Sequence, residues 1–369
     1  NLVEIIIYFW SGGRALFSTY KDEDVILLLK DITGLVRPQS TQERERAIQG
    51  GRHYCEMLPI EYEPSKDYQD TFEDALTRYG QITADAVASV AQKIWKKKGK
   101  EVAVVSLARA GTPVGILIKR YIKQKYGVEI DHYTLSIIRG RGIDKNALNY
   151  ILSRHASKDI QFVDGWTGKG AIQRELIHAV AEFPGLDSGL AVLSDPANIA
   201  QVSGTQDDFL IASSCLNSTV SGLLSRTFLR SDIIGPNDYH GAVFYQELEE
   251  RDVTYHFIES IQSHFVMKDI GDDNRSQREE KCDQSALEEV REIAEQFQIR
   301  DINLIKPSIG EATRVLLRRL PWKILVHSLD DEEHLGHLYQ LAREKGVEVV
   351  EYPLKHYRAC GLIRSLADT

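Results

Sequence analysis

The chain has 369 residues, 43% hydrophobic and 27% charged, with a formal net charge of −9. That length is enough for two domains with cores of their own, and the modest acidity argues against wholesale coating of nucleic acid while leaving room for a local basic face. The cysteines Cys55, Cys215, Cys282 and Cys360 stand singly, so neither a zinc pair nor a disulfide framework is in view, and a reducing cytoplasm is the expected compartment. The apolar run 3–10 is too short to span a bilayer and has no basic flank, so it reads as a strand or packing segment. No other run is long enough to span a bilayer, and no membrane partner is expected.

Residues 22–30 read as a short capped helix. Residues 65–98 read as a long one, closed by Lys96, Lys97 and Lys98 ahead of a helix-stopping Gly99. Strands are then expected at 102–107, 130–137, 160–163, 190–193 and 209–212, separated by helices at 113–125, 145–155, 171–182 and 197–203. This alternation predicts an α/β fold, a mostly parallel sheet with helices on both faces, whose ligands gather at the carboxyl ends of the strands. Helices at 217–229, 242–250 and 253–266 close a first domain of residues 1–267, and the polar stretch 268–285 reads as a linker. The remainder, 286–369, alternates again: helix 287–297, strand 302–305, helix 311–319, strand 323–327, helix 333–345, strand 347–350 and helix 354–366. That is a smaller C-terminal α/β sandwich.

Three loops carry chemistry. Strand 160–163 runs into Asp164, then Gly165-Trp166-Thr167-Gly168-Lys169-Gly170 and a helix start. Glycines let backbone N–H groups converge, and a helix N-terminus adds unpaired donors, so the turn suits a phosphate while Asp164 can accept from sugar hydroxyls. It has neither the P-loop order nor G-x-G-x-x-G, and the same residues also describe an ordinary strand–helix turn. The second loop, Ala108-Arg109-Ala110-Gly111, combines small residues with a guanidinium fork suited to phosphate oxygens, ahead of Thr112 as N-cap and Pro113 at the first helical position. The third, Arg139-Gly140-Arg141-Gly142, reads as a mobile basic loop able to fold over a polyanion, or as a solvated basic turn.

Together these loops resemble the type I phosphoribosyltransferases, relatives of orotate phosphoribosyltransferase. The resemblance implies that Thr167, Gly168, Lys169 and Gly170 hold the 5-phosphate of phosphoribosyl diphosphate and Asp164 its ribose hydroxyls. Ala108, Arg109, Ala110 and Gly111 match the diphosphate loop, often held by a cis peptide, while Arg139 and Arg141 fall at the catalytic loop. Mg²⁺ is the implied cofactor, carried on diphosphate, ribose and water rather than on direct protein ligands. Gly165 stands where that family usually has a second acid.

Phe17-Ser18, residues 24–30, His53-Tyr54-Cys55-Glu56 and 162–170 further resemble a divergent phosphoribosyltransferase family of bacterial tellurium-resistance and stress loci, known as cysteine protease StiP. The stretch 305–319 resembles a Pelota-type, L7Ae-like RNA-binding domain. The implied activity is displacement of diphosphate to glycosylate, or the reverse phosphorolysis of, a nucleobase-like acceptor. The acceptor pocket would draw on His53, Tyr54 and Glu56 or on residues 213–217. Other readings remain open, namely a non-catalytic nucleotide- or RNA-binding stress protein and a cysteine protease, with Cys215 as nucleophile and His240 or His256 as base. For the C-terminal domain, Arg314 and Arg318 share one helix face with Arg319 beside them. With Lys306 and Gly310 they form a candidate surface for structured RNA. Candidate partners are therefore phosphoribosyl diphosphate or a nucleotide-like ligand, a structured RNA and a second copy of the chain.

Overall fold

The computed structural model describes residues 17–269 and 285–364. The run 3–10, most of the stretch 268–285 and Cys282 lie outside the described residues.

Where a helix was expected at 22–30, two short strands form, β1 (Ile26–Leu27) and β2 (Lys30–Asp31). Asp24 does not cap a helix there. Its two oxygens accept from Nε and Nη2 of Arg120 at 2.9 and 2.7 Å, which fixes the chain in an extended path. Helix α1 (Thr41–Gln49) opens on a Ser40–Glu43 capping box. The long helix α2 (Lys66–Lys98) ends at Gly99 behind its three lysines, as expected.

The alternation follows: β3 (Ala103–Leu107), α3 (Gly111–Tyr126), β4 (Asp131–Leu135), the hairpin β5 (Ile137–Ile138) and β6 (Gly142–Ile143), α4 (Lys145–Leu152), β7 (Ile160–Val163), α5 (Ala171–Val180), β8 (Leu190–Ser194) and β9 (Val202–Thr205). Six of these strands form one sheet in the order β1-β4-β3-β7-β8-β9, with every pairing parallel. Val104, Val163 and Leu193 turn to α2 and α3 on one face, while Val105, Phe162 and Val192 turn to α4 and α5 on the other. Helices on both faces bury β3, β7 and β8 completely, the polar Ser106, Gln161 and Ser194 included.

The last strand is β9, not 209–212, and it begins at Val202, inside the segment expected to be helical at 197–203, no part of which is a helix. Gly204 explains it. A Cβ there would stand 2.6 Å from the Ala86 carbonyl of α2, so the strand passes directly beneath that helix. Residues 209–212 are buried without being a strand. The helices expected at 217–229 and 242–250 are turns, short 3₁₀ segments and the two-residue β10 (Gly241–Ala242), which pairs with β2. Serine hydroxyls compete with helical bonding here: Ser221 Oγ donates to the Asn217 carbonyl at 2.7 Å and Ser225 Oγ to the Arg226 carbonyl at 2.7 Å. Helix α6 (Thr254–Ser263) closes this part of the fold.

The smaller C-terminal sheet domain contains α7 (Ser285–Gln296), β11 (Ile305–Pro307), α8 (Ile309–Arg318), β12 (Pro321–Val326), α9 (Glu332–Glu344), β13 (Glu348–Glu351) and β14 (Ala359–Ile363). Its strand order is β11-β14-β12-β13. The expected helix 354–366 is therefore a central strand, antiparallel to both neighbours. At Gly361 a Cβ would lie 2.9 Å from the Val315 side chain, so the glycine lets α8 settle on the sheet. The segment Ile302–Leu304 is a 3₁₀ turn leading into β11. One apolar cluster runs from Phe72 and Leu76 of α2 into Ala312, Leu316 and Leu338 of α8 and α9, so the two sheets share a packed boundary. None of the described helices is long and apolar enough to cross a membrane.

Candidate functional site

The site forms where β3 and β7, adjacent and parallel, reach their carboxyl ends. A Cβ on Gly111 would stand 2.7 Å from the Val163 carbonyl oxygen and 3.1 Å from Asp164 Cα, so only glycine lets the loop after β3 press on the turn after β7. The Ala108–Arg109 peptide is cis. Helix α3 begins at Gly111, two residues earlier than expected. Thr112 does not cap it, because its hydroxyl pairs with Thr134 Oγ1 at 3.0 Å.

Asp164 is part-buried, and Oδ1 accepts from the Gly165 N–H at 2.8 Å. Burial pushes its pKa up to about 7, against the opposing pull of that N–H and of Arg314. Thr167 N–H donates to the Ser194 carbonyl at 3.1 Å, joining the turn to β8. No acceptor among the described residues is bonded to the N–H groups of Gly168 and Lys169. Gly170, at φ 73°, is the N-cap of α5. The Lys169 ammonium points away from the open side of the turn, donating to the carbonyls of Ile302 and Ile305 at 2.5 and 3.0 Å. Burial lowers its pKa to about 8, with Lys306 adding to the effect.

Arg109 is held by two acceptors, the Leu224 carbonyl at 2.7 Å and Asn217 Oδ1 at 2.8 Å. The Arg139–Gly142 segment is a tight hairpin turn rather than an open loop. Glu175 explains this, its carboxylate accepting from the N–H groups of Gly140 and Gly142 at 2.7 and 3.0 Å. Tyr54 Oη accepts from Arg139 N–H, His53 Nε2 meets the Arg139 carbonyl at 3.1 Å, and Arg141 pairs with Glu56 at 2.9 Å. The candidates His53, Tyr54 and Glu56 are thus gathered around the basic hairpin, while of residues 213–217 Asn217 meets Arg109 and the Ser214 carbonyl accepts from Arg318.

The C-terminal domain closes over this face. Trp166 Nε1 donates to Glu311 Oε1 at 3.2 Å, and the Arg314 guanidinium lies 5.4 Å from the centre of the Trp166 ring. Tyr357 Oη donates to the Gly168 carbonyl at 2.9 Å, and Arg139 Nη1 to Asn303 Oδ1 at 3.0 Å. Asp208 accepts from the N–H groups of Ile309 (3.0 Å) and Arg358 (2.9 Å), at the head of α8. Burial still raises its pKa to about 6. Of the residues read from sequence as an RNA face, Lys306, Arg314 and Arg318 are half-buried and Gly310 is buried, and Arg319 stays exposed at the helix end. Gly310 lies beside Ser214 and Trp166. Arg226, Glu61 and Asp208 escaped the sequence reading because nothing local marks them. They arrive from loops far apart in the chain.

Cys215 is fully buried, and burial pushes its thiol up to about 12. Neither candidate base serves it. His240 Nδ1 bonds Ser136 Oγ at 2.8 Å and the backbone N–H of His240 donates to Asp144 Oδ2, while His256 pairs with Glu73. Of the described cysteines, Cys55 is the one bonded by an imidazole, with His53 Nδ1 at 3.0 Å from Sγ. Cys55 is also fully buried, and burial raises its pKa too. Neither thiol is poised as a thiolate.

Solved structures similar to part of the chain include a hypoxanthine-guanine phosphoribosyltransferase from Bacillus anthracis, at 16% identity, covering 34% of this chain and 76% of that one with a TM-score of 0.26. A Helicobacter pylori xanthine-guanine-hypoxanthine phosphoribosyltransferase matches at 15% identity, 35% and 72% coverage and a TM-score of 0.22. Residues 284–365 match the model of the PELOTA RNA binding domain. Residues 18–262 match the model of the tellurite-like stress resistance cysteine protease StiP. The curated cysteine protease StiP of Acinetobacter baylyi is 38% identical over 371 residues, covering 94% of each chain. The chain belongs to the StiP family.

Proposed function

We propose that the protein is a phosphoribosyltransferase-like enzyme that binds phosphoribosyl diphosphate and breaks its anomeric C–O bond to release diphosphate. The observation that carries this reading is the seating of Gly111 against Val163 and Asp164, which brings a guanidinium-bearing loop and an acid-plus-N–H turn together at neighbouring strand ends. Asp164 accepts from the ribose hydroxyls, and the N–H groups of Gly168 and Lys169 receive the 5-phosphate. Arg109, fixed by Leu224 and Asn217, faces the charge that grows on the leaving diphosphate. Arg139 and Arg141 border the same space. A nucleobase-like acceptor attacks the oxocarbenium-like carbon from the side of His53 and Tyr54.

The donor set suits Mg²⁺ in one mode. No group of three acidic, histidine or cysteine side chains able to hold a metal occurs among the described residues, so an ion would be carried on the substrate's own oxygens and on water, with Asp164 reaching it through the ribose hydroxyls. Bound there, Mg²⁺ supplies neutralisation of the leaving diphosphate.

The family's protease name supports a second reading, and the His53–Cys55 contact is the feature that favours it. Diphosphate release from phosphoribosyl diphosphate, measured across a panel of nucleobase acceptors, separates the two. Release lost in Asp164→Asn and kept in Cys55→Ala supports the transferase. Peptide cleavage lost in Cys55→Ala, with no diphosphate release by the wild type, overturns it. The match of residues 284–365 supports a structured RNA as partner of the C-terminal domain.

A further inference from the structure

Helix α8 and strand β11 bring cations to a face that already carries cations of its own. From the first domain come Arg109 and Arg226, both part-exposed, with the Arg226 guanidinium 4.8 Å from the Tyr54 ring centre. From the C-terminal domain come Lys306, Arg314, Arg318 and Arg319. Arg318 Nη2 donates to the Ser214 carbonyl at 3.2 Å, while its Nη1 is buried with no hydrogen-bond partner among the described residues. The Ser213 and Ser214 hydroxyls beside it are buried and equally unsatisfied.

The electrostatics agree with the geometry. Arg318 is pushed well below the usual arginine range by burial and then by Arg314 and Arg109, with Glu61 opposing. Arg226 is lowered to about 10 by burial first, with Arg44, Arg109 and Arg319 in the same direction and Tyr54 opposing. A guanidinium stays charged in a protein, so these directions mark burial first and, after it, the nearness of cations from both domains. The carboxylates Glu61, Asp164 and Glu311 are too few to offset them, and Glu61 is already engaged by Ser218 N–H and Oγ at 3.1 and 3.0 Å.

We propose that the two domains form one polyanion site in cis, with Arg109 and Arg226 on one wall and Arg314, Arg318 and Arg319 on the other, which takes a diphosphate group on a small nucleotide-class ligand. The buried free Nη1 of Arg318 and the unsatisfied serine hydroxyls provide donors for its oxygens. An extended RNA strand fits this face poorly. It needs an open basic groove with free aromatic platforms, whereas the Trp166 ring is covered by Arg314 and the inner side of α8 is walled by the first domain. The site deepens the transferase reading and rests on it for the ribose part alone.

Calorimetric titration of the full chain with inorganic diphosphate, and separately with phosphoribosyl diphosphate and Mg²⁺, tests the site. Arg314→Ala and Arg319→Ala are each expected to weaken diphosphate binding about 10-fold, with roughly 100-fold for the pair, since each removes a charged hydrogen-bond donor. Arg319 is exposed, so loss of binding in its variant does not stem from misfolding. Unchanged diphosphate binding in both variants, or no diphosphate binding by the wild type, overturns the inference. So does single-stranded RNA binding that needs both arginines but is not displaced by diphosphate. If diphosphate binding depends on the arginines yet phosphoribosyl diphosphate gains nothing from Asp164, the joint site stands and the transferase reading falls. If phosphoribosyl diphosphate binding needs Asp164 and ignores both arginines, the reverse holds.

Discussion

The turn after β7 and the helix α8 face one another with opposite problems. The turn presents a carboxylate whose pKa burial lifts to about 7, beside backbone donors with no acceptor among the described residues. The helix presents guanidinium groups, one of which burial holds well below its usual range. Neither side is electrostatically comfortable alone. Arg314 relieves Asp164 in part, and a ligand carrying both hydroxyls and phosphates would relieve both. In the proposed joint site, the turn of the first domain and the basic helix of the C-terminal domain act as one surface.

The most damaging expected change to that arrangement is Gly111→Val. Its Cβ would enter the space of the Val163 carbonyl, costing on the order of 3 kcal/mol and separating the two loops. Chemical denaturation should show the lower midpoint, and diphosphate release should vanish. A variant that keeps wild-type release would break the claim that the loops must touch. Next in size is Asp208→Ala, which strips acceptors from the N–H groups of Ile309 and Arg358 at the boundary, about 1–3 kcal/mol. Its expected signature is faster proteolysis between the two sheets, and an unchanged cleavage pattern would show that α8 is held by other contacts.

Asp164→Asn sharpens the comparison through pH. The folded pKa of Asp164 lies above its ordinary value of 3.8, so its contribution to stability is fully present below that value and is lost as pH rises toward about 7. The variant should therefore gain in Tm over wild type as pH rises through this window, by about 2–4 °C. In the same window the wild type alone should gain stabilisation from phosphoribosyl diphosphate, because the ionised carboxylate is the acceptor. A Tm difference independent of pH would contradict the burial of this group. The smallest effect is expected of Cys215→Ala, which alters a buried apolar contact and should leave diphosphate release unchanged. Loss of release on that change would return Cys215 to the chemistry.

Much of the first sheet was legible because its strands are short, mostly apolar runs between helical patterns: Ala103–Leu107, Ile160–Val163 and Leu190–Ser194 have every residue buried. The same rule failed at 209–212, whose apolar residues fill the boundary between the sheets without pairing. It failed again at β9, where Val-Ser-Gly-Thr is a strand for the sake of its fit under α2. In β14 the run Ala-Cys-Gly-Leu-Ile is too short to distinguish strand from helix by period, and Gly361 marks its contact with α8 only once the fold is known. The site divides likewise. Asp164, Gly111 and Arg109 were visible as local turn chemistry. Arg226, Glu61 and the inward orientation of Arg314 and Arg318 come from tertiary packing, which carries no local signature.

The central claim is that the strand-end face binds a phosphorylated ribose through Asp164. Titration calorimetry of the full chain with phosphoribosyl diphosphate and Mg²⁺ at about pH 8, where Asp164 is ionised, tests it most directly. Saturable binding by the wild type, weakened about 10-fold or more in Asp164→Asn, is the expected result. No binding by the wild type, or equal binding by the variant, would contradict the account.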